Sequence, residues 1–166
     1  PDVTAFAPGD HVITCLTQFC GVCPECHAGR VYICPNRHGL ARGPELEPTL
    51  SLNGTPVLPM AGLAAFAEQM LVHENGVVAV NRAVPFDVAA LIGCAVMTGV
   101  GSAINGARIR PGETVAVIGC GGIGLNIVQG CRLAGAGRII AVDLNPEKLE
   151  AARGFGATDV VDASVD

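Results

Sequence analysis

Half of the eight cysteines in this 166-residue chain fall within residues 20–34, CGVCPECHAGRVYIC. Cys20, Cys23, Cys26 and Cys34 are spaced C-x2-C-x2-C-x7-C. Thiolates are soft ligands, and four of them enclose one Zn²⁺ tetrahedrally with no position left open. The short gaps let the first three wrap one side of the ion, while Cys34 closes the shell from beyond a small loop. Such a site orders a loop that has too little apolar surface to order itself, and a closed site does no chemistry. The rivals fit worse. An iron–sulfur centre of this type expects x3 before its last cysteine, not x7. A nucleic-acid-binding ribbon needs basic neighbours, and the segment offers little beyond Arg30 and Arg37. Disulfide frameworks belong to small secreted domains, which this chain does not otherwise resemble.

A second pattern lies in VIGCGGIG, residues 117–124. G-x-G-x-x-G alone is weak, but here it follows the apolar run TVAVI and opens a helical one. Gly119 permits a tight turn, Gly121 lets the backbone approach a pyrophosphate, and Gly124 allows close packing of helix on strand. The helix start presents unpaired N–H groups to phosphate. Asp143 ends the next apolar run, RIIAVD, about twenty residues on, where a carboxylate accepts from ribose hydroxyls and repels a 2′-phosphate; that predicts NAD rather than NADP. The alternative is a glycine-rich turn that binds nothing.

The elements that must position these groups are legible in outline. HVITCL, after the turn Pro8-Gly9-Asp10, predicts a strand, and Asn36–Pro59 a loop. His73-Glu74-Asn75-Gly76 separates two apolar stretches like a hairpin turn. Asp87 is expected to N-cap a helix over VAALIGCAV. TVAVIG predicts a strand buried on both faces. Strand, helix, strand, helix (opened by Asn145-Pro146) and strand make the first half of a doubly wound nucleotide-binding fold. Val88–Ala107 and Thr114–Cys131 are long and free of charge. Their interrupting glycines and polar residues predict buried elements of a soluble protein rather than membrane spans.

Composition narrows the partners. Half of the residues are hydrophobic, 15% are charged and the net charge is −5. That suits a folded core and gives no electrostatic reason to expect nucleic acid or an anionic membrane. PDVTAFAPGD has neither the basic start nor the apolar core of a signal peptide. Cys15, Cys94, Cys120 and Cys131 stand in apolar surroundings as small hydrophobes. A reducing, cytoplasmic setting is expected.

Taken together, C-x2-C-x2-C-x7-C, LIGCAVMTGVGSA and VIGCGGIGLNIVQGCRLAGAGRIIAVDLNPEKLEAAR resemble the zinc-dependent alcohol dehydrogenases of the medium-chain dehydrogenase/reductase superfamily. The resemblance runs from about Pro8 onward and implies a partial GroES-like lobe at 1–94 and the first half of a Rossmann domain at 95–166. It makes Cys20, Cys23, Cys26 and Cys34 structural zinc ligands and Cys94, in G-C-x-x-x-T-G, the third protein ligand of a separate catalytic zinc. Thr98 would lie beside the nicotinamide, and Gly119, Gly121, Gly122, Ile123 and Gly124 would form the pyrophosphate turn. Asp143 would accept from the ribose, with Lys148 nearby. In that family the catalytic zinc is a Lewis acid that holds the substrate oxygen while hydride passes to NAD.

The family's other two catalytic ligands come from G-x-C and G-H-E-x-x-G segments. His11, Cys15, His27, His38 and His73 stand in neither pattern. The expectation is therefore an internal portion of an enzyme interconverting alcohols with aldehydes or ketones, inactive alone and homo-oligomeric when complete. Polyol, amino-alcohol and thiol-adduct formaldehyde dehydrogenases of the same superfamily are alternatives. A non-catalytic zinc-stabilised dinucleotide-binding or interaction module is the alternative of another class.

Overall fold

Residues 3–40, 50–63 and 65–165 are described by the structure, a computed structural model. The chain divides into two compact units, Pro1–Ala90 and Leu91–Asp166. The boundary expected from sequence, 94/95, lies four residues further on, inside a π-helical turn over Ile92–Val96.

Among its described residues the first unit has little regular structure. It contains β1 (Val12–Thr14), α1 (Pro24–His27), the two-residue strands β2 (Ser51–Leu52) and β3 (Thr55–Pro56), β4 (Val77–Ala79) and most of α2 (Phe86–Leu91). The expected strand HVITCL is thus only three residues long. The loop expected over 36–59 holds the small β2–β3 hairpin, and its residues 41–49 lie outside those described. His73–Gly76 does not join a hairpin. It forms a 3₁₀ turn, and the strand after it pairs antiparallel with β1, Thr14 opposite Val77. The ladder continues through Cys15 N–H to Gly76 C=O at 2.9 Å. Asn75 then ties the turn to the cysteine segment, donating from Nδ2 to the Phe19 carbonyl at 2.7 Å.

Among the described residues of this unit the buried apolar side chains are Cys23, Cys34, Leu63 and Ala89. Two of the four are cysteines of the cluster. A core that small needs another source of order.

The second unit is built as the sequence predicts. After α3 (Met97–Gly101) come β5 (Thr114–Ile118), α4 (Gly122–Leu133), β6 (Arg138–Asp143), α5 (Pro146–Phe155) and β7 (Asp159–Asp162). The sheet is parallel in the order β5-β6-β7. Asn145 caps α5, its Oδ1 accepting from Glu147 N–H at 2.8 Å, and Pro146 occupies the first turn, where a missing N–H costs nothing. The core joins Val117, Ile139 and Ala141 of the sheet to Val128, Cys131, Leu149 and Ala152 of the helices, with Cys120 and Ala103 beside them.

Three expectations need correction. Asp87 is not the N-cap, because α2 already begins at Phe86; Asp87 sits in the first turn, where its Oδ1 accepts from Val88 N–H. β5 is not buried on both faces. Only Val117 of it is buried, because β5 pairs with β6 alone and Ile118 is 84% exposed. The helical run Phe86–Gly106 is long and apolar enough to cross a bilayer by length and composition, yet it is not a buried element here. Ala89, Gly99 and Ala103 are its buried residues, while Leu91, Met97 and Ile104 face outward. Gly99 and Ala103 pack against α4, while Leu91, Met97 and Ile104 are uncovered among the described residues.

Candidate metal centre and dinucleotide site

The four sulfurs of Cys20, Cys23, Cys26 and Cys34 all lie within 4.8 Å of one another. Cys23 and Cys26 are 3.4 Å apart and Cys23 and Cys34 4.0 Å, with every cysteine a free thiol. Zinc–sulfur bonds of about 2.3 Å place tetrahedral sulfurs about 3.8 Å apart, so the pocket has the size of one zinc ion. The segment folds this way because Pro24 starts a single helical turn that returns Cys26 toward Cys23. Gly21 and Gly29, both at positive φ, allow the reversals on either side. Among the described residues this is the only group of three or more such ligands that converges.

Two of the four thiols differ widely in acidity. N–H groups of Val22 and Cys23 lower the Cys20 thiol to about 6. Desolvation, with hydrogen bonds from its neighbours, pushes Cys26 up to about 12. One thiolate is thus stabilised by backbone, and four in so small a volume require a positive ion. Two further donors face the sulfurs: Cys20 N–H points at Cys34 Sγ at 3.4 Å, and Asn36 Nδ2 at Cys20 Sγ at 3.8 Å.

In the second unit, Gly119 leaves β5 at φ +91°, a conformation that side chains other than glycine's rarely adopt. A Cβ on Gly124 would lie 1.8 Å from the Gly119 carbonyl oxygen, so α4 is packed directly on the turn. Gly121 and Gly122 differ: a Cβ on either would meet nothing within 4 Å. Open space thus lies over the N-terminus of a twelve-residue helix, whose first N–H groups have no partner within the helix. That cradle fits a pyrophosphate. Ile123 is half exposed beside it.

The Asp143 carboxylate at the end of β6 is held against this turn. Its Oδ2 accepts from Cys120 N–H at 2.7 Å and its Oδ1 from Asn145 N–H at 2.9 Å. These bonds, the Cys120 one first, hold its pKa below the usual carboxylate range, with a smaller contribution from the Lys148 charge. The acid is therefore ionised and fixed in orientation, with lone pairs left for hydroxyl donors. Cys120, read from sequence only as a small hydrophobe, supplies the anchoring amide. Its position between the first two glycines of the motif was the available signal.

Cys94 lies in the π-helical turn Ile92–Val96 and is exposed, which overturns the core-cysteine reading of the residue pattern. Thr98, one turn on in α3, is also exposed, and its carbonyl accepts from Ser102 Oγ at 2.6 Å. Single π turns inside helices often mark functional positions. Gly99 brings this helix against α4: a Cβ there would lie 2.4 Å from Asn126 Cβ and 2.8 Å from the Ile123 carbonyl oxygen. The structure thus puts Cys94, Thr98 and the glycine turn on two helices in direct contact. It assembles no ligand group around Cys94 among the described residues.

A family profile described as the alcohol dehydrogenase GroES-like domain matches residues 1–82, and one described as zinc-binding dehydrogenase matches 122–166. An S-(hydroxymethyl)glutathione dehydrogenase of Escherichia coli strain CFT073 is 43% identical over 162 residues, which is 96% of this chain and 44% of that protein. One from Shigella sonnei is 42% identical over the same length. Among solved structures, an alcohol dehydrogenase zinc-binding domain protein from Burkholderia ambifaria superposes with a TM-score of 0.86 at 31% identity. It covers all of this chain and 46% of its own. Benzyl alcohol dehydrogenase from Acinetobacter calcoaceticus gives 0.80 at 28%, covering all of this chain and 45% of its own. The chain thus spans a little under half the length of the proteins it matches.

Proposed function

The chain belongs to the zinc-dependent alcohol dehydrogenase family, and from that premise we propose that it serves in an NAD-dependent oxidoreductase interconverting alcohols with aldehydes or ketones. The observation that carries this reading is the anchored carboxylate of Asp143 beside the open glycine turn, on the same unit as the exposed Cys94. In it, Gly119–Gly124 hold the pyrophosphate through backbone N–H groups, Asp143 and Lys148 receive the adenosine ribose, and Thr98 borders the nicotinamide. Cys94 contributes one thiolate to a catalytic zinc, which when bound supplies Lewis-acid activation of the substrate oxygen. The family's G-H-E-x-x-G ligand segment does not occur in this sequence, so the 166-residue chain alone is expected to turn over no alcohol.

One observation favours a narrower substrate. The 43% identity is to proteins described as S-(hydroxymethyl)glutathione dehydrogenases, which makes a hydroxymethyl thiol adduct the second reading. The free thiols suit a reducing, cytoplasmic setting, and the complete enzyme is expected to self-associate. Titration of the chain with NAD and NADP tests the core of the proposal. NAD should bind at least tenfold more tightly, and Asp143→Asn should narrow that gap. Equal affinity for both dinucleotides, or for neither, would sink it.

A further inference from the structure

We propose that Asn75 is a positioning residue of the metal centre, although it lies 56 residues from the segment it contacts and bonds a carbonyl there rather than a sulfur. An asparagine in a tight turn ordinarily bonds its own neighbouring backbone. Here the side chain is spent elsewhere. The backbone of Asn75 is fixed by its N–H to His73 Nδ1 at 3.1 Å, and the turn closes through Gly76 N–H to the His73 carbonyl at 2.8 Å. Its Nδ2 is thereby free to donate to the Phe19 carbonyl at 2.7 Å.

That carbonyl belongs to the same peptide unit as Cys20 N–H, and Cys20 N–H points at Cys34 Sγ at 3.4 Å. A peptide unit is planar, so holding its oxygen fixes the direction of its hydrogen. Donation to the oxygen also polarises the unit and strengthens the N–H as a donor. Cys34 is 2% exposed, which leaves its sulfur little contact with solvent, so this amide matters to its charge. Asn75 acts on the metal through Cys34, as outer groups commonly act through ligands. The inference rests on metal occupancy of the four thiolates, not on the oxidoreductase reading.

The test compares the chain with Asn75→Asp and Asn75→Ala, each loaded with Zn²⁺ and, separately, with Co²⁺. Asn75→Asp keeps the shape but replaces the donor by an acceptor. Chelator competition should show zinc held ten- to a hundredfold more weakly in both variants. The sulfur-to-cobalt charge-transfer band at saturation should move to longer wavelength, because a thiolate that loses a hydrogen bond gives up electron density more easily. Leu63→Ala, which removes another of the few buried apolar side chains of this unit and leaves the Asn75–Phe19 hydrogen bond intact, should leave that band in place. Zinc affinity within twofold of the parent in both Asn75 variants overturns the proposal, as does weaker binding with an unmoved cobalt band. A parent chain that binds no zinc overturns the metal centre itself.

Discussion

Replacing Gly124 by alanine would strike the contact on which the dinucleotide turn is built. The new Cβ would lie 1.8 Å from the Gly119 carbonyl oxygen and 2.8 Å from its carbon, whereas real Cβ contacts essentially never fall below 3.0 Å. The helix and the turn must therefore separate by about 1.2 Å, and because the obstructing atoms are backbone, no side chain can swing aside. Overpacking of this kind costs roughly 1–3 kcal/mol, and a backbone obstacle puts it at the upper end. Alanine's better helix propensity returns about 1 kcal/mol. The net expectation is a loss of about 2 kcal/mol, or on the order of 10 °C in the melting of a unit this size.

Gly154 is the matched control. It is exposed in α5, a Cβ there would meet nothing within 4 Å, and Gly154→Ala should stabilise by about 0.5–1 kcal/mol. The assay is urea unfolding followed by amide exchange of the β5–β6 ladder, which isolates the second unit. If Gly124→Ala unfolds at or above the parent's midpoint, the helix is not packed on the turn, and the cradle reading fails with it.

Other outcomes follow from the same geometry. The chain should bind about one zinc. Its removal by chelation should abolish exchange protection over 15–37 while leaving the β5–β6–β7 ladder protected, as amide exchange would show. Gly156, at φ +117° after α5 and against the Arg132 side chain, should cost about 1–2 kcal/mol when replaced by alanine, read in the same unfolding experiment. Asp159 is held well below the usual carboxylate range by the Arg138 guanidinium, which it meets in two hydrogen bonds, and by Thr158. A depressed folded pKa contributes stability above the unfolded value, about 3.9, that disappears as pH falls through the folded one. Asp159→Asn should therefore melt lower than the parent at pH 6–8 and converge with it toward pH 2, in paired thermal scans.

The second unit was legible in the sequence because each of its signals is local. TVAVI, the glycine turn and Asn145-Pro146 announce their elements within a few residues, and Asp143 ends a strand at the motif's own spacing. The cysteine spacing was legible for the same reason. What escaped depends on contacts distant in sequence. The choice of β1 as the partner of β4, over a hairpin across His73–Gly76, is settled by residues more than sixty positions apart. Asn75 reads as turn chemistry until its side chain is seen on Phe19. The exposure of Phe86–Gly106 was invisible because apolar composition says that a face wants cover, not that this chain supplies it. The π turn that holds Cys94 leaves no mark that periodicity detects.

The seam between α3 and α4 has a mechanical consequence. Gly99 meets the Asn126 and Ile123 backbone, and Gly130 meets Ala103 and the Val100 backbone, so main chain rests on main chain at both points. Side chains can hop between rotamers and absorb a displacement, but stacked main chains cannot. The two helices therefore behave as a gauge block: their separation at these two points is set by the thickness of the polypeptide itself. Drift elsewhere in the sequence can reshape what surrounds that gap, while its length stays fixed for as long as these positions remain small.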